Sequence, residues 1–293
     1  MSIALMKEKT LSALLFIVSL LPFWFLYFLS DILYVLIYYV FGYRKAVVFD
    51  NLRNSFPEKD EKEIKSIAKK FYKYFPDLIV EAIKMKSITE KQVREKIELL
   101  NIEEVNDYLD RGIAVIGVTA HYCNWELGIH TMSLMNDKPK LVIYKPLSNK
   151  TFNDVYNEMR TRFGATMVPM KQILRHLVKL RGTPNFSIFV ADQTPVYQDS
   201  DYYLEFLNQE TLVYTGVERL AKLTNSPVVF CEIRRKPQRG KYYCRFTTLV
   251  EDPSLCEPHE ITKMHNAFTE RIIQEEPQYW LWSHRRWKRK RRT

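Results

Sequence analysis

The chain has 293 residues, 46% of them hydrophobic, a length that suits one large domain or one domain with a small appendage. Its four cysteines, Cys123, Cys231, Cys244 and Cys256, show no C-x-x-C spacing, which argues against a zinc site or disulfide framework and for reduced thiols in a cytoplasmic setting. A net charge of +10 suits an anionic membrane surface, an acidic protein partner or nucleic acid.

Lys7 and Lys9 precede an uncharged run, LSALLFIVSLLPFWFLYFLS, from Leu11 to Ser30. It is long enough to span a bilayer core of about 30 Å, with Pro22 as a kink. Its length, with no small-residue cleavage site after it, argues against a signal peptide. A second apolar run, Ile32 to Phe41, is short, rich in Tyr and followed by Arg44 and Lys45. It suits an aromatic anchor in the interface. Residues 1–43 therefore read as a membrane anchor, either one span or a bent helix pair lying partly in the membrane. The alternative is a helix pair belonging to the core. Residues 44–293 read as the body of the protein.

Asn51 to Glu58 reads as a turn. Glu61–Phe75 has an amphipathic pattern, with Ile64, Ile67, Ala68 and Phe71 on one face. Pro76 is expected to interrupt it, with Leu78–Met85 continuing. Thr89 and Gln92 form a capping box for a helix over Glu90–Leu99. Glu103–Asp110 is a short helix closed by Arg111-Gly112.

The most informative stretch follows, IAVIGVTAHYCNWELG, from Ile113 to Gly128. Its first half is apolar on both faces, as in a strand covered on both sides. Asn124 is the expected N-cap of a helix over Trp125–Met135. His121 then stands at the C-terminal end of a strand, the edge where open α/β sheets bind ligands. An imidazole takes a proton near neutral pH. A carboxylate on the other ring nitrogen fixes its tautomer and stabilises the imidazolium. Glu126, in the first helical turn, is the expected partner. No serine stands beside the pair, so the proton is expected to come from a substrate hydroxyl that then attacks an activated acyl group. The H-x4-E spacing is common by itself, and its position after an apolar strand gives it weight.

Leu141–Tyr144 is the next strand, and Phe152–Phe163 a helix stopped by Gly164. Arg160 and Arg162 near its end do not share a face. Either one faces the site and the other solvent, or both complement the helix dipole. Lys171–Leu180 reads as a helix and Phe186–Ala191 as a strand. Asp192 follows it, on the same sheet edge as His121 if the two strands are parallel. It would orient an arginine or a substrate group, or cap a helix. Tyr197–Val213 has little regular pattern and is expected to line an acyl or acceptor pocket. A helix over Gly216–Leu223, a strand over Val228–Ile233, an antiparallel edge strand over Tyr242–Val250 and a helix over Glu260–Glu275 complete the pattern. The fold class expected is α/β, a mixed, largely parallel sheet flanked by helices. The chain ends in PQYWLWSHRRWKRKRRT. With an anchor at the other end, lipid headgroups are favoured over nucleic acid as partners of His284, Arg285, Arg286 and Trp287, each basic residue adding roughly 1 kcal/mol near such a surface. A phosphorylated glycolipid would be held in the same way. Lys288–Arg292 reads as a disordered tail.

Together these stretches resemble a family. HYCNWELG is similar to the H-x-G-N-W-E-x-G of the lipid A biosynthesis late acyltransferases, within the lysophospholipid acyltransferase superfamily. GYRKAVVFDNLRNSFPE, YKPLSN, FVADQTP and PQYWLWSHRRWK resemble four further family motifs in order, so the likeness runs from about Arg44 to Lys288. Cys123 stands where the family usually has Gly, so a differently shaped loop is expected. Lys145 stands for Arg and loses a bidentate donor. Tyr279 stands for Gln. The resemblance implies an O-acyltransferase of the cytoplasmic face of an inner membrane, working without metal or other cofactor. It would move an acyl chain from acyl carrier protein, or acyl-CoA, to a hydroxyl of a lipid A precursor. It implies His121 as general base and Glu126 as the group that orients it. Asn124 would position the acceptor or cap the helix. One of Arg160 and Arg162, with Asp192, would stabilise the oxyanion or hold a phosphate. The alternatives are acylation of another glycolipid, aminolipid or glycerolipid by the same means, or a non-catalytic tethered protein that binds lipid or nucleic acid.

Overall fold

A computed structural model describes residues 3–291. In chain order the elements are α1 (Ile3–Ser19), α2 (Phe23–Val35), α3 (Lys45–Ser55), α4 (Glu61–Lys84), α5 (Glu90–Lys96), β1 (Ile97–Leu100), α6 (Glu103–Asp110), β2 (Val115–Thr119), α7 (Trp125–Ser133) and β3 (Lys140–Tyr144). They continue with α8 (Lys150–Arg160), β4 (Thr166–Pro169), α9 (Ile173–Lys179), β5 (Phe186–Val190), β6 (Tyr203–Phe206), β7 (Gln209–Leu212), α10 (Gly216–Thr224), β8 (Val228–Arg235), β9 (Tyr242–Val250) and α11 (Glu260–Glu275). Seven strands form one sheet in the order β1-β9-β8-β2-β5-β3-β4. Every neighbouring pair is parallel except β8 with β9. This is the mixed, largely parallel sheet flanked by helices that the sequence pattern predicts. β2 lies near its middle, and all five of its residues are buried.

Four expectations are corrected, the first being the turn read over Asn51–Glu58, which is helical as far as Ser55, the end of α3. The helix expected over Glu90–Leu99 stops at Lys96, because Ile97–Leu100 pairs with β9 as strand β1. β9 is therefore covered by β1 and is not an edge. Pro76 does not interrupt α4, which runs unbroken from its Asp60–Glu63 capping box to Lys84. A proline inside a helix costs about 3 kcal/mol. Here the residues just beyond it, Asp77, Val80 and Glu81, are all buried, and that packing offsets the cost.

The N-terminal run is two helices rather than one span. Pro22 takes extended angles at the start of α2 and separates it from α1. Lys84 Nζ closes the end of α1 by donating to the carbonyls of Ser19 (2.7 Å) and Leu21 (3.0 Å), oxygens a helix end leaves without partners. Asp31 does not end α2, because its charge is paired with Arg239 at 2.9 Å. A π-helical turn over Leu36–Val40 carries α2 on, so Phe23–Val40 is one apolar helix long enough to cross a membrane, a candidate anchor. One side of it is sealed onto α4. Tyr27 Oη donates to Glu81 Oε1 (2.5 Å) and Ser30 Oγ to Asp77 Oδ1 (2.6 Å). Elsewhere along it Trp24 (71%), Phe28 (55%), Tyr39 (57%) and Phe41 (74%) stand exposed.

Candidate active site

β2 and β5 are adjacent and parallel, with Thr119 opposite Val190. Two residues beyond each lie His121 and Asp192, so the register itself brings them together at the C-terminal edge of the sheet. His121 Nδ1 lies 2.6 Å from Asp192 Oδ1, and the His121 backbone N–H donates to Oδ2 at 3.0 Å. Trp280 Nε1 donates to the same Oδ2 at 2.7 Å. Burial pushes the Asp192 carboxyl up, but the His121 ring and these hydrogen bonds outweigh it and hold it down at about 2. A carboxylate only accepts, so Nδ1 carries the hydrogen and Nε2 is left as the basic nitrogen.

Glu126 is not the partner of that ring, as the sequence suggests it to be. Its carboxylate is taken by Arg160, with Nε to Oε2 at 2.8 Å, and by Trp125 Nε1 at 2.8 Å. Burial pushes the Glu126 carboxyl up, and Arg160 then brings it below its usual value. The Arg160 guanidinium also lies over the Tyr156 ring at 4.4 Å. Trp125 joins the two pairs, since its ring meets that of His121 edge-on at 5.0 Å between centroids.

The remaining candidates divide between site and scaffold. Arg162 donates to the carbonyls of Met85 and Ile88, tying the end of α8 to the turn after α4, and takes no part in the site. Asn124 caps α7 as expected, its Oδ1 accepting from Leu127 N at 2.8 Å. Its Nδ2 donates to the buried Glu81 at 2.5 Å, so both ends of the amide are engaged within the protein. Gly128 lets α7 approach β8, for a Cβ there would stand 2.6 Å from Ile233 Cδ1. Cys123 takes a left-handed conformation, φ +50°, so the loop keeps the backbone shape that Gly favours and is not reshaped as its replacement of Gly suggests. Its backbone N–H is held by the Tyr279 carbonyl at 3.0 Å, which fixes the loop despite the strain. Its thiol is fully buried and pushed far up by that burial, unsuited to a nucleophile.

The C-terminal segment is structural where it was expected to touch lipid. Residues 279–281 strap the loop of His121: Tyr122 bridges to Trp280, and Leu281 N donates to the His121 carbonyl at 3.1 Å. Arg286 is buried and donates to the Leu212 carbonyl at 2.9 Å. Trp287 donates to Thr211 Oγ1 at 2.7 Å. Burial lowers His284 to about 4, so it is neutral at pH 7. Of the four residues only Arg285 is exposed. The tail is ordered as far as it is described: the Tyr197 and Tyr203 hydroxyls donate to the Lys290 carbonyl and Arg291 pairs with Glu210 at 2.9 Å, while Arg292 lies outside the described residues. Trp280 is the site residue that sequence reasoning missed, together with the residues that hold its segment. Arg44 donates to the Ser283 carbonyl at 2.9 Å, and Asn51 to those of Trp282 (2.8 Å) and His284 (2.9 Å). The spaced Arg and Asn of the early motif were the available signal.

A cavity of about 940 Å³ opens near the same edge, lined by Lys145, Phe189, Val196, Tyr214, Leu220 and others. Part of the irregular segment lines it, through Gln198 and Asp199, while Tyr203–Leu212 folds into the separate hairpin β6–β7. Among the described residues no group of three or more His, Cys, Asp or Glu is placed to hold a metal ion.

Comparison with known proteins gives the family. The model of the bacterial lipid A biosynthesis acyltransferase family matches residues 10–289. The chain is 23% identical over 247 residues to the lipid A biosynthesis lauroyltransferase and to the palmitoleoyltransferase of Escherichia coli K12, covering 84% of this chain and 79% of each relative. It is similar at the same identity to a lipid A biosynthesis acyltransferase of Haemophilus influenzae, covering 78% of that protein. The chain belongs to the bacterial lipid A biosynthesis acyltransferase family.

Proposed function

We propose that this protein moves a fatty acyl chain from the thioester of an acyl carrier protein onto a hydroxyl of a lipid A precursor. The observation that carries the chemistry is the 2.6 Å contact between His121 Nδ1 and Asp192 at the sheet edge. It leaves Nε2 to take the proton of the acceptor hydroxyl. The oxygen then attacks the thioester carbonyl, the tetrahedral intermediate expels the thiolate, and the imidazolium gives its proton to that thiolate. General-base action of this kind contributes roughly 10²–10⁴ in rate. Asp192 positions the ring. Glu126 keeps the role of a site residue by a different route, holding Arg160, the cation available to the developing oxyanion. Family membership supports the lipid A-type acceptor, and the cavity of about 940 Å³ has the size for an acyl chain. The exposed aromatic side chains of α2, opposite a face sealed onto α4, support a helix lying in a membrane interface, and an acyl carrier protein donor would put that interface on the cytoplasmic side of the inner membrane.

The test is mass spectrometry of lipid A from cells lacking the protein, complemented with wild type or with His121→Ala. Loss of one secondary acyl chain, restored by wild type and not by the variant, is expected, and the mass lost gives the acyl length. Unchanged lipid A would overturn the acceptor assignment and turn the search to other lipids in the same extracts.

A further inference from the structure

A second cavity, of about 420 Å³, lies between α4, the β8–β9 turn and the segment after α11. Lys70, Lys73, Arg235 and Arg239 line it against one carboxylate, Asp77. Asp77 is already committed, since Arg239 donates to it at 2.6 Å and also pairs with Asp31. Lys70, Lys73 and Arg235 have no ion pair among the described residues, so three positive charges face one small cavity without a counter-anion. Arg235 is also held in place. Its guanidinium lies 5.6 Å from the centroid of Tyr74 and 5.8 Å from that of Tyr279, and its buried Nε has no hydrogen-bond partner. A guanidinium packed beside two adjoining rings, with Nη1 donating to the Tyr279 hydroxyl at 3.4 Å, is held so that its remaining Nη hydrogens can meet a planar or tetrahedral oxyanion.

The position of the cavity narrows the ligand. Arg239 reaches α2 through Asp31 and the Tyr27 carbonyl, so the cavity borders the helix whose Trp24 and Phe28 are exposed. With those side chains in the interface, a cavity bordering the same helix would stand beside the headgroup layer. Tyr279, one of its walls, holds the Cys123 N–H of the loop that carries His121, so the cavity is next to the reacting centre without sharing residues with it.

We propose that this cavity is an accessory phosphate-binding site, which takes the phosphate of an anionic lipid headgroup or a free phosphate. The site is tested on the full-length protein in detergent, by binding to phosphatidylcholine vesicles with and without one-fifth phosphatidic acid, and by thermal melting with inorganic phosphate. The variants are Arg235→Gln and the double change Lys70→Ala with Lys73→Ala, whose lysines are exposed and whose loss should not disturb folding. Lys62→Ala with Lys65→Ala, also exposed on α4, is the control for an equal loss of charge. Binding of wild type to phosphatidic acid vesicles is expected to exceed that of the Lys70 and Lys73 variant about tenfold or more, while the control falls much less. A melting shift with phosphate alone, lost in Arg235→Gln, assigns free phosphate. A response to the vesicles only assigns the headgroup. If the Lys70 and Lys73 variant and Arg235→Gln both behave as the control does in both assays, the proposal is overturned.

Discussion

The two ends of the chain look alike in composition and fold in opposite ways. Residues 11–43 and residues 277–291 are both rich in aromatic side chains, and both suggest contact with a membrane. At the N-terminal end the aromatic side chains Trp24, Phe28 and Phe41 remain exposed, while Tyr27 and Ser30 turn inward to Glu81 and Asp77. At the C-terminal end Trp280 and Trp282 are buried, and even the charged Arg286 is 2% exposed. The difference lies in hydrogen bonding rather than in hydrophobicity. Each C-terminal indole N–H has an acceptor inside the protein: Asp192 for Trp280, the Pro277 carbonyl for Trp282 and Thr211 for Trp287. A Trp whose polar end is satisfied internally packs as core, and one without such an acceptor suits an interface.

The comparison is tested most strongly by stability. Trp282→Ala removes a fully buried side chain and should cost about 3–5 kcal/mol in chemical denaturation. Trp24→Ala should stay within about 0.5 kcal/mol in the same assay. Equal losses would break the distinction.

Acid should separate the two ends next. His284 at the C-terminal end is held at about 4 by burial, as are His130 and His265, while residues 1–43 contain no histidine. A buried histidine with its pKa lowered from about 6.5 binds its proton only when the chain unfolds. Its contribution is present above about pH 6.5 and is lost as the pH falls toward 4. Denaturation curves across this window should show stability falling with pH, with up to three protons taken up on unfolding. His284→Asn should remove one proton from that uptake.

A finer contrast sets turnover against membrane partition. Trp280→Phe keeps an aromatic ring and deletes only the N–H to Asp192, so turnover should fall about tenfold or more with vesicle binding unchanged. Trp24→Ser with Phe28→Ser should do the reverse, lowering vesicle partition about tenfold or more with turnover in detergent retained. The smallest effect belongs to Cys123→Gly. It relieves a left-handed conformation that costs about 1–2 kcal/mol and loses a buried side chain of similar worth. Stability should change by less than about 1 kcal/mol, with activity retained.

Much of the fold was legible because it is local. The Asn124 cap, the Thr89–Gln92 box, the buried run ending at Thr119 and the helices over Glu103–Asp110 and Glu260–Glu275 each announce themselves within a few residues. Strand β1 was hidden because only its partner β9, far along the chain, makes Ile97–Leu100 a strand. The site was legible as residues and not as pairs. The sequence points to His121, Glu126, Arg160 and Asp192, but nearness along the chain suggests His121 with Glu126. The register of β2 against β5 pairs His121 with Asp192 instead, which frees Glu126 for Arg160. Registry between strands about seventy residues apart cannot be read from spacing.

The proposed chemistry rests on His121 as the base and Asp192 as the carboxylate that positions it. Its most direct test is the turnover number of purified Asp192→Asn beside wild type, with an acyl carrier protein thioester as donor and a lipid A precursor as acceptor. The substitution is nearly isosteric and keeps an oxygen for the Trp280 N–H. Turnover should fall on the order of 10²-fold or more with the acceptor KM little changed, because the ring loses its tautomer and the imidazolium its counter-charge. Turnover within twofold of wild type would contradict it.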